Sequence, residues 1–243
     1  MKFEQTWTGN FENAFHGLRH PMESYAKSDS GYECTAPNWG KEEIQLCDPK
    51  CCDPNCRGVG KFILGSNDLD LAQRMIKAGT PNDKFLRQIF VSVDITAPLY
   101  IWKEIDQYKI GTTTNSTSTM HKLATTPITI DCFEMDDFHD FTIYDKNYDV
   151  VFFKEKIIIP IINHLESLRL KYLETKDIHY WKELIRWLPE SWLQTRTFTC
   201  NYAVLRNIIH WRRGHKLSEW KQFIDWCKTL PYSKELLFYV QDK

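Results

Sequence analysis

The sequence predicts an α+β protein with a helix-rich C-terminal half, and three observations carry that reading. The chain has 243 residues, 42% of them hydrophobic and 14% aromatic, which is enough to pack one large domain or one domain with an insertion. At 89–95, Ile89, Val91, Val93 and Ile95 alternate with Phe90, Ser92 and Asp94, the period-2 pattern of a strand with one buried face. Beyond about residue 149 the apolar residues recur instead at helical spacing. Lys plus Arg number 31 and Asp plus Glu 32, a formal net charge of −1. That balance excludes a general nucleic-acid binder and leaves room for a local basic pocket. The longest apolar runs, such as 157–162, fall far short of a membrane span, and residues 1–7 lack the basic and apolar regions of a signal peptide. A soluble, cytoplasmic protein with no membrane contact is therefore expected.

Taken in order, residues 1–33 are polar and aromatic, with His16, Arg19, His20, Lys27 and Asp29 among Phe11, Phe15 and Tyr25. Residues 34–62, rich in Cys, Pro and Gly, read as an insertion loop in a domain spanning 1–243. A helix starts at Ser66 or Asn67 with Asp68 and Asp70 in its first turn. Its apolar face is Leu69, Ala72, Met75 and Ile76, and Gly79 stops it. Pro81 and Asn82 turn the chain into the strand. Thr96 is a candidate cap for the next helix, with Pro98 in its first turn, Leu99, Trp102 and Ile105 on one face and Gly111 at its end. A hydroxyl-rich loop follows at 112–119, then short strand-like runs over 128–153 among Asp131, Glu134, Asp136 and Asp137. The periodic segment 149–175 contains Pro160, which must kink it or mark its start. Ile178, Trp181, Ile185 and Leu188 place a second helix before Pro189. A third is expected over 201–213, and a fourth over 217–228 with Trp220, Phe223, Ile224 and Cys227 on one face.

Five of the eight cysteines crowd together: Cys34, Cys47, Cys51, Cys52 and Cys56. Their core is a tandem, Cys-Asp-Pro-Lys-Cys then Cys-Asp-Pro-Asn-Cys, in which each Asp-Pro turn can bring two thiols onto one ion. Cys47, Cys51, Cys52 and Cys56 are thus candidate ligands of a structural zinc stapling a loop with almost no core, and a reduced surface loop is the alternative. With no His or carboxylate cluster beside them, a catalytic metal is not expected.

The loop 112–119 offers seven hydroxyls and one amide, with Lys109 before it and His121 and Lys122 after it. Such a loop can cradle a phosphate or be a solvated linker. On the 201–213 helix, Asn201 and Arg212 are eleven residues apart, within about 20° of three full turns, and share a face; Asn207 points about 120° away. Asn is a poor interior helix former and is often kept for a specific partner, so both asparagines are candidate ligand contacts. Arg206, Arg212 and Arg213 make that helix end basic.

These residues resemble the flavin-dependent thymidylate synthases in two blocks, roughly 85–122 and 181–228. In the second block, Leu188 and Pro189 are followed at the family's intervals by Asn201, Asn207 and Arg212, then by His215 and Glu219. In the first block, strand, Ala97-Pro98, helix and polar loop follow the family order, and the signature R-H-R-x-x-S-x-x-E-x-S-x-R-Y registers on 107–120. Gln107, Tyr108 and Lys109 stand at Arg-His-Arg, Thr112 and Thr117 at the two serines, Asn115 at the glutamate, and Thr119 and Met120 at Arg-Tyr. Glu104 stands at a substrate-contacting Gln, Gln88 at a flavin-site His, and Ile185, with Arg186 beside it, at a nucleotide-binding Arg.

The resemblance implies a thymidylate-synthase-complementing-protein (ThyX-like) fold, an antiparallel sheet with helices. It implies reductive methylation of dUMP, or a related pyrimidine nucleotide, with methylenetetrahydrofolate as carbon donor and NADPH reducing FAD. It places cofactor contacts at Gln88, Gln107, Lys109, Asn201 and Asn207, and substrate contacts at Glu104, Thr112, Asn115, Thr117 and Arg212. It implies a homotetramer with sites between subunits, and no cysteine attacking the uracil ring. The substituted signature motivates an alternative, a catalytically altered or inactive protein of the same fold that binds a nucleotide or a protein partner.

Overall fold

A computed structural model describes residues 1–33, 60–136, 142–144 and 150–239. In chain order the elements are β1 (Lys2–Gly9), α1 (Phe11–Arg19), β2 (Gly31–Tyr32), β3 (Phe62–Ile63), α2 (Ser66–Ala78), β4 (Phe90–Pro98), α3 (Leu99–Ile105), β5 (Thr113–Ser116), α4 (Thr119–Lys122), β6 (Thr142–Tyr144), β7 (Val150–Phe152), α5 (Ile159–Thr175), α6 (Ile178–Arg186), β8 (Leu193–Asn201), α7 (Tyr202–Arg212) and α8 (Ser218–Lys228). A four-stranded sheet has the order β1, β4, β8, β5; β2 with β3 and β6 with β7 form antiparallel pairs. The mixed α and β class and the helix-rich C-terminal half are as expected.

Several elements differ from expectation. β4 runs on through Thr96 to Pro98, so Thr96 is not a helix cap: its hydroxyl hydrogen-bonds that of Thr195 at 2.7 Å. α3 consequently starts at Leu99 and ends at Ile105, well before Gly111. The partner strand β8 had no signature in the sequence because its outward residues are threonines. Ser92 with Thr199 (3.2 Å), Asp94 with Thr197 (2.5 Å) and Thr96 with Thr195 step in opposite directions along the two strands, a polar ladder that marks them as antiparallel. Inside β8, Gln194, Phe198 and Cys200 are buried. The loop 112–119 is partly ordered as β5 and α4, and β1 and α1 occupy the N-terminal stretch read only as polar and aromatic.

The chain divides into two compact units. The first comprises Met1–Glu4, Asp94–Gln107 and Thr114–Phe198. Here Pro160 is the second residue of α5, directly after a π-helical turn over Lys154–Ile158, so it stands where the helix passes from π to α geometry rather than at a free helix start. Ile162, Leu165 and Leu168 of α5 pack with Leu184 of α6 and with Leu123, Ile128 and Phe133. Arg169 grips Glu166 two-handed (2.7 and 2.6 Å) and donates to the Ala124 carbonyl, while Glu166 accepts from the Ile128 amide, tying 124–128 to α5. The bonds from Arg169 hold the Glu166 carboxyl below its ordinary pKa against the opposing effect of burial.

The second unit comprises Gln5–Val93, Tyr108–Thr113 and Thr199–Lys243. Phe11, Phe15, Phe62, Phe85 and Tyr202 form its aromatic centre, with ring centroids 5.6–6.1 Å apart. α2 spans the expected residues and stops at Gly79 (φ 73°), but its cap comes from elsewhere: the Asp29 carboxylate accepts from the Asn67 and Asp68 amides. Tyr32 pairs with Phe62, and the Glu33 amide donates to the Lys61 carbonyl (2.9 Å), so the chain leaves and re-enters at one point around 34–59. Phe62 is strand and core. Cys34, Cys47, Cys51, Cys52 and Cys56 lie outside the described residues. Among those described, no helix is long and apolar enough to cross a membrane.

Candidate functional site

Asn201 is the last residue of β8 and the N-cap of α7, not a helix-interior residue. Its Oδ1 accepts from the Val204 amide at 3.1 Å, which satisfies one of the donors a helix start leaves open. Its Nδ2 faces the turn at Gly111, where an added Cβ would lie 3.0 Å away; with φ at 76°, that turn requires glycine.

The same turn carries Tyr108, whose carbonyl accepts from the Thr112 hydroxyl at 2.5 Å. The Tyr108 hydroxyl accepts from Arg212 Nε at 3.0 Å. The Arg212 guanidinium lies 4.6 Å from the centroid of the fully buried Trp220 ring and 5.7 Å from that of Tyr108, a cation–π arrangement on two rings. His215 Nδ1 accepts from the Leu217 amide, so its proton is on Nε2, and its ring meets Trp220 edge-on. Lys109, beside Tyr108, is exposed.

Asn207 lines a separate cavity of about 380 Å³ with Thr80, Asp83, Arg87, Ala203, Arg206 and His210. Its Oδ1 accepts from Trp211 Nε1 at 3.1 Å, which leaves its amide NH2 to donate. Arg206, one of the three arginines that make this helix end basic in the sequence, is partly buried. One terminal nitrogen donates to the carbonyls of Leu236, Leu237 and Tyr239, pinning the C-terminal turn, and burial pushes its pKa down. The volume falls within the range of small-molecule sites, and the lining offers Arg87, His210 and the Asn207 amide as donors beside a carboxylate, Asp83, that accepts from the Thr80 hydroxyl at 3.2 Å.

The other residues singled out in the sequence do not gather on these two features. Gln88 is exposed at the end of the 3-10 stretch Asn82–Gln88. It lines a different cavity, of about 490 Å³, with Phe85, Met75, Leu18 and Lys84. In the first unit, Gln107 donates to the Lys103 carbonyl and Glu104 sits half-buried in α3. Asn115 is exposed on β5, and the Thr117 amide and hydroxyl both donate to the Thr195 carbonyl. Ile185 packs against the apolar cluster of α5, and Arg186 pairs at the surface with Glu183, so neither presents a buried cation. Arg196 was missed altogether: it grips both Asp106 oxygens, donates to Gln194, and stacks 4.5 Å over Trp102. Its only sequence signal was an arginine within a threonine run. Burial pushes the Cys200 and Cys227 thiols up, which keeps them protonated and inert. Among the described residues no cluster of His, Cys, Asp and Glu could hold a metal.

Solved structures share this architecture. The flavin-dependent thymidylate synthase ThyX from Helicobacter pylori, complexed with FAD and dUMP, superposes with a TM-score of 0.62 at 16% identity, covering 98% of both chains. A second structure of Thymidylate Synthase X (ThyX) from Helicobacter pylori, with FAD and dUMP, gives the same score and identity over 100% of both. This chain has a ThyX-like fold. No protein-family model and no curated protein matches the sequence. Within the ThyX-like fold, α7 is the element that joins the two polar features, carrying Asn207 in its middle and Arg212 in its last turn.

Proposed function

We propose that this chain binds a flavin dinucleotide and a pyrimidine nucleotide, and reductively methylates dUMP or a close relative of it. The observation that carries the reading is the polar cavity at Asn207, on the same helix as Arg212, in a protein with the ThyX-like fold. The groups lining that cavity fit part of FAD: the Asn207 amide, Arg87 and His210 would hold its polar groups, and Asp83, whose Oδ1 accepts from the Thr80 hydroxyl at 3.2 Å, would accept from a ligand hydroxyl through Oδ2. Bound FAD, reduced by NADPH, would supply the hydride for turning a one-carbon unit from methylenetetrahydrofolate into a methyl group. Arg212 would meet the nucleotide, and Lys109 would add a point charge where a guanidinium would have given a two-pronged grip. Asn201 supports this indirectly by starting α7 in register and packing against the Gly111 turn. The assembly is proposed as a homotetramer. The segment 34–59 is proposed as an insertion in a single domain, shortened from 34–62 by the pairing of Lys61 and Phe62 with Glu33 and Tyr32, with Cys47, Cys51, Cys52 and Cys56 on a structural zinc.

The decisive experiment is the visible spectrum of the purified protein before and after FAD is added. Flavin absorbance that survives gel filtration is expected, and a chain that stays colourless sinks the reading. A metal assay on the same sample should find one zinc per chain; a substoichiometric result removes the staple.

A second reading is favoured by a specific observation. Gln107, Thr112 and Thr117, at signature positions, all donate to backbone carbonyls. A protein that binds FAD and dUMP yet forms no dTMP with methylenetetrahydrofolate and NADPH would be a binder on this fold without the reaction.

A further inference from the structure

The geometry around Arg212 points to Tyr108 as a positioning residue: we infer that its phenol, with the Trp220 indole, fixes the plane of the guanidinium that meets the nucleotide. The nucleotide half of this inference rests on the proposed function; the hold itself rests on the contacts. An arginine in the last turn of a helix has four flexible bonds, and ordering it on ligand binding weakens that binding. Here the ordering is done beforehand. Tyr108 takes Nε at 3.0 Å, Trp220 covers one face of the guanidinium at 4.6 Å, and the Tyr108 ring lies 5.7 Å away.

Neither partner is free to follow a wandering side chain. Trp220 is fully buried and packs at 5.6 Å against Phe223, also fully buried. Tyr108 is set by a turn that the Thr112 hydroxyl closes onto its carbonyl and that Gly111 makes possible at φ 76°. The hydroxyl of Thr112 therefore acts through Tyr108, and Tyr108 through Arg212. Because Tyr108 engages Nε, it sets the orientation of the whole planar group in a way that a lysine at 212 could not reproduce.

The test uses the full chain loaded with FAD. Equilibrium dialysis gives the dUMP affinity of the wild type, Tyr108→Phe and Arg212→Lys, while the side-chain Nε–H signals of 15N-arginine-labelled protein report the hold. Tyr108→Phe keeps the ring and loses the acceptor. Losing one hydrogen bond to a charged group should weaken dUMP binding about tenfold. FAD uptake should be unchanged, and the Arg212 Nε–H, identified by its absence in Arg212→Lys and expected to exchange slowly in the wild type, should exchange fast. A Tyr108→Phe protein with wild-type dUMP affinity, or with an unaltered Arg212 signal, overturns the positioning role. A wild-type chain that takes up neither FAD nor dUMP instead sinks the functional reading and the nucleotide role with it. That failure is recognisable because the Arg212 signal would still depend on Tyr108.

Discussion

Two polar groups of the second unit, Asp68 and Asn207, show how a residue that holds the fold differs from one that can take a ligand. Asp68 is fully buried, and both its oxygens are occupied. Oδ1 accepts from Arg19 Nε at 2.5 Å, and Oδ2 accepts from the Ser28 hydroxyl and from the Ser30 and Asp29 amides. Asn207 is exposed on α7, one end of its amide occupied by Trp211 and the other left at a cavity. Saturation marks the first as structural, and the open donor at a concavity marks the second as a binding group. Gln107, Thr112 and Thr117 meet neither description: each donates to a backbone carbonyl and none lines the cavity at Asn207, although their sequence positions suggested ligand contacts.

The largest effect should come from Asp68→Asn. It leaves Arg19, itself only 4% exposed, without its counter-charge, and breaking a buried pair in this way costs about 3–5 kcal/mol. Denaturant melts near neutral pH measure it, and FAD uptake by the folded fraction should not change. The acid limb sharpens the point. Burial pushes the Asp68 carboxyl up, but hydrogen bonds from Ser30, Ser28 and Arg19 outweigh it and leave the pKa below the ordinary value. A carboxyl whose folded pKa is depressed stabilises the fold fully above the unfolded value of about 3.9 and loses that contribution as pH falls below it. Asp68→Asn should therefore flatten the fall in stability below about pH 4; an acid limb identical to wild type would take Asp68 out of the structural class.

Asn207→Ala is the counterpart. Removing one donor from a bound ligand should weaken FAD retention about tenfold, read from flavin absorbance after gel filtration. An exposed helical position should meanwhile change stability by no more than about 0.5 kcal/mol. The opposite result, a lower melting temperature with full FAD retention, would move Asn207 into the class of Asp68 and dissolve the comparison.

What could be read from the sequence follows the same division. α2 and α8 were legible because their apolar stripes and the Gly79 stop are local signals. The shared helix of Asn207 and Arg212 was legible from spacing alone. β8 was not, because its outward face is Thr195, Thr197 and Thr199, whose partners Thr96, Asp94 and Ser92 lie about a hundred residues earlier. Missing β8 made Asn201 look like a helix-interior residue when it is the cap at the strand's end. The hold on Arg212 was equally hidden, since Tyr108 is 104 residues away in the chain. Pairings between distant polar residues leave no periodic trace, and they separate the residues that hold the fold from those that can bind.

The smallest effect is expected at Asn115, the position where resemblance and geometry disagree most directly. By resemblance it stands at the signature glutamate, a substrate contact; in the structure it is one of four exposed residues of β5, at the edge of the sheet. An exposed residue on an edge strand contributes little to stability, so Asn115→Ala should shift unfolding by no more than about 0.5 kcal/mol. If only the α7 residues and their partners bind nucleotide, dUMP affinity should also stay within about twofold of wild type, well inside the tenfold change that one lost charge-assisted bond would give. A tenfold loss in Asn115→Ala with unchanged stability would mean that an exposed amide on an edge strand can be an open group without a cavity around it. The criterion drawn from Asp68 and Asn207 would then be too narrow, and the substituted signature would be a working variant of the family's own.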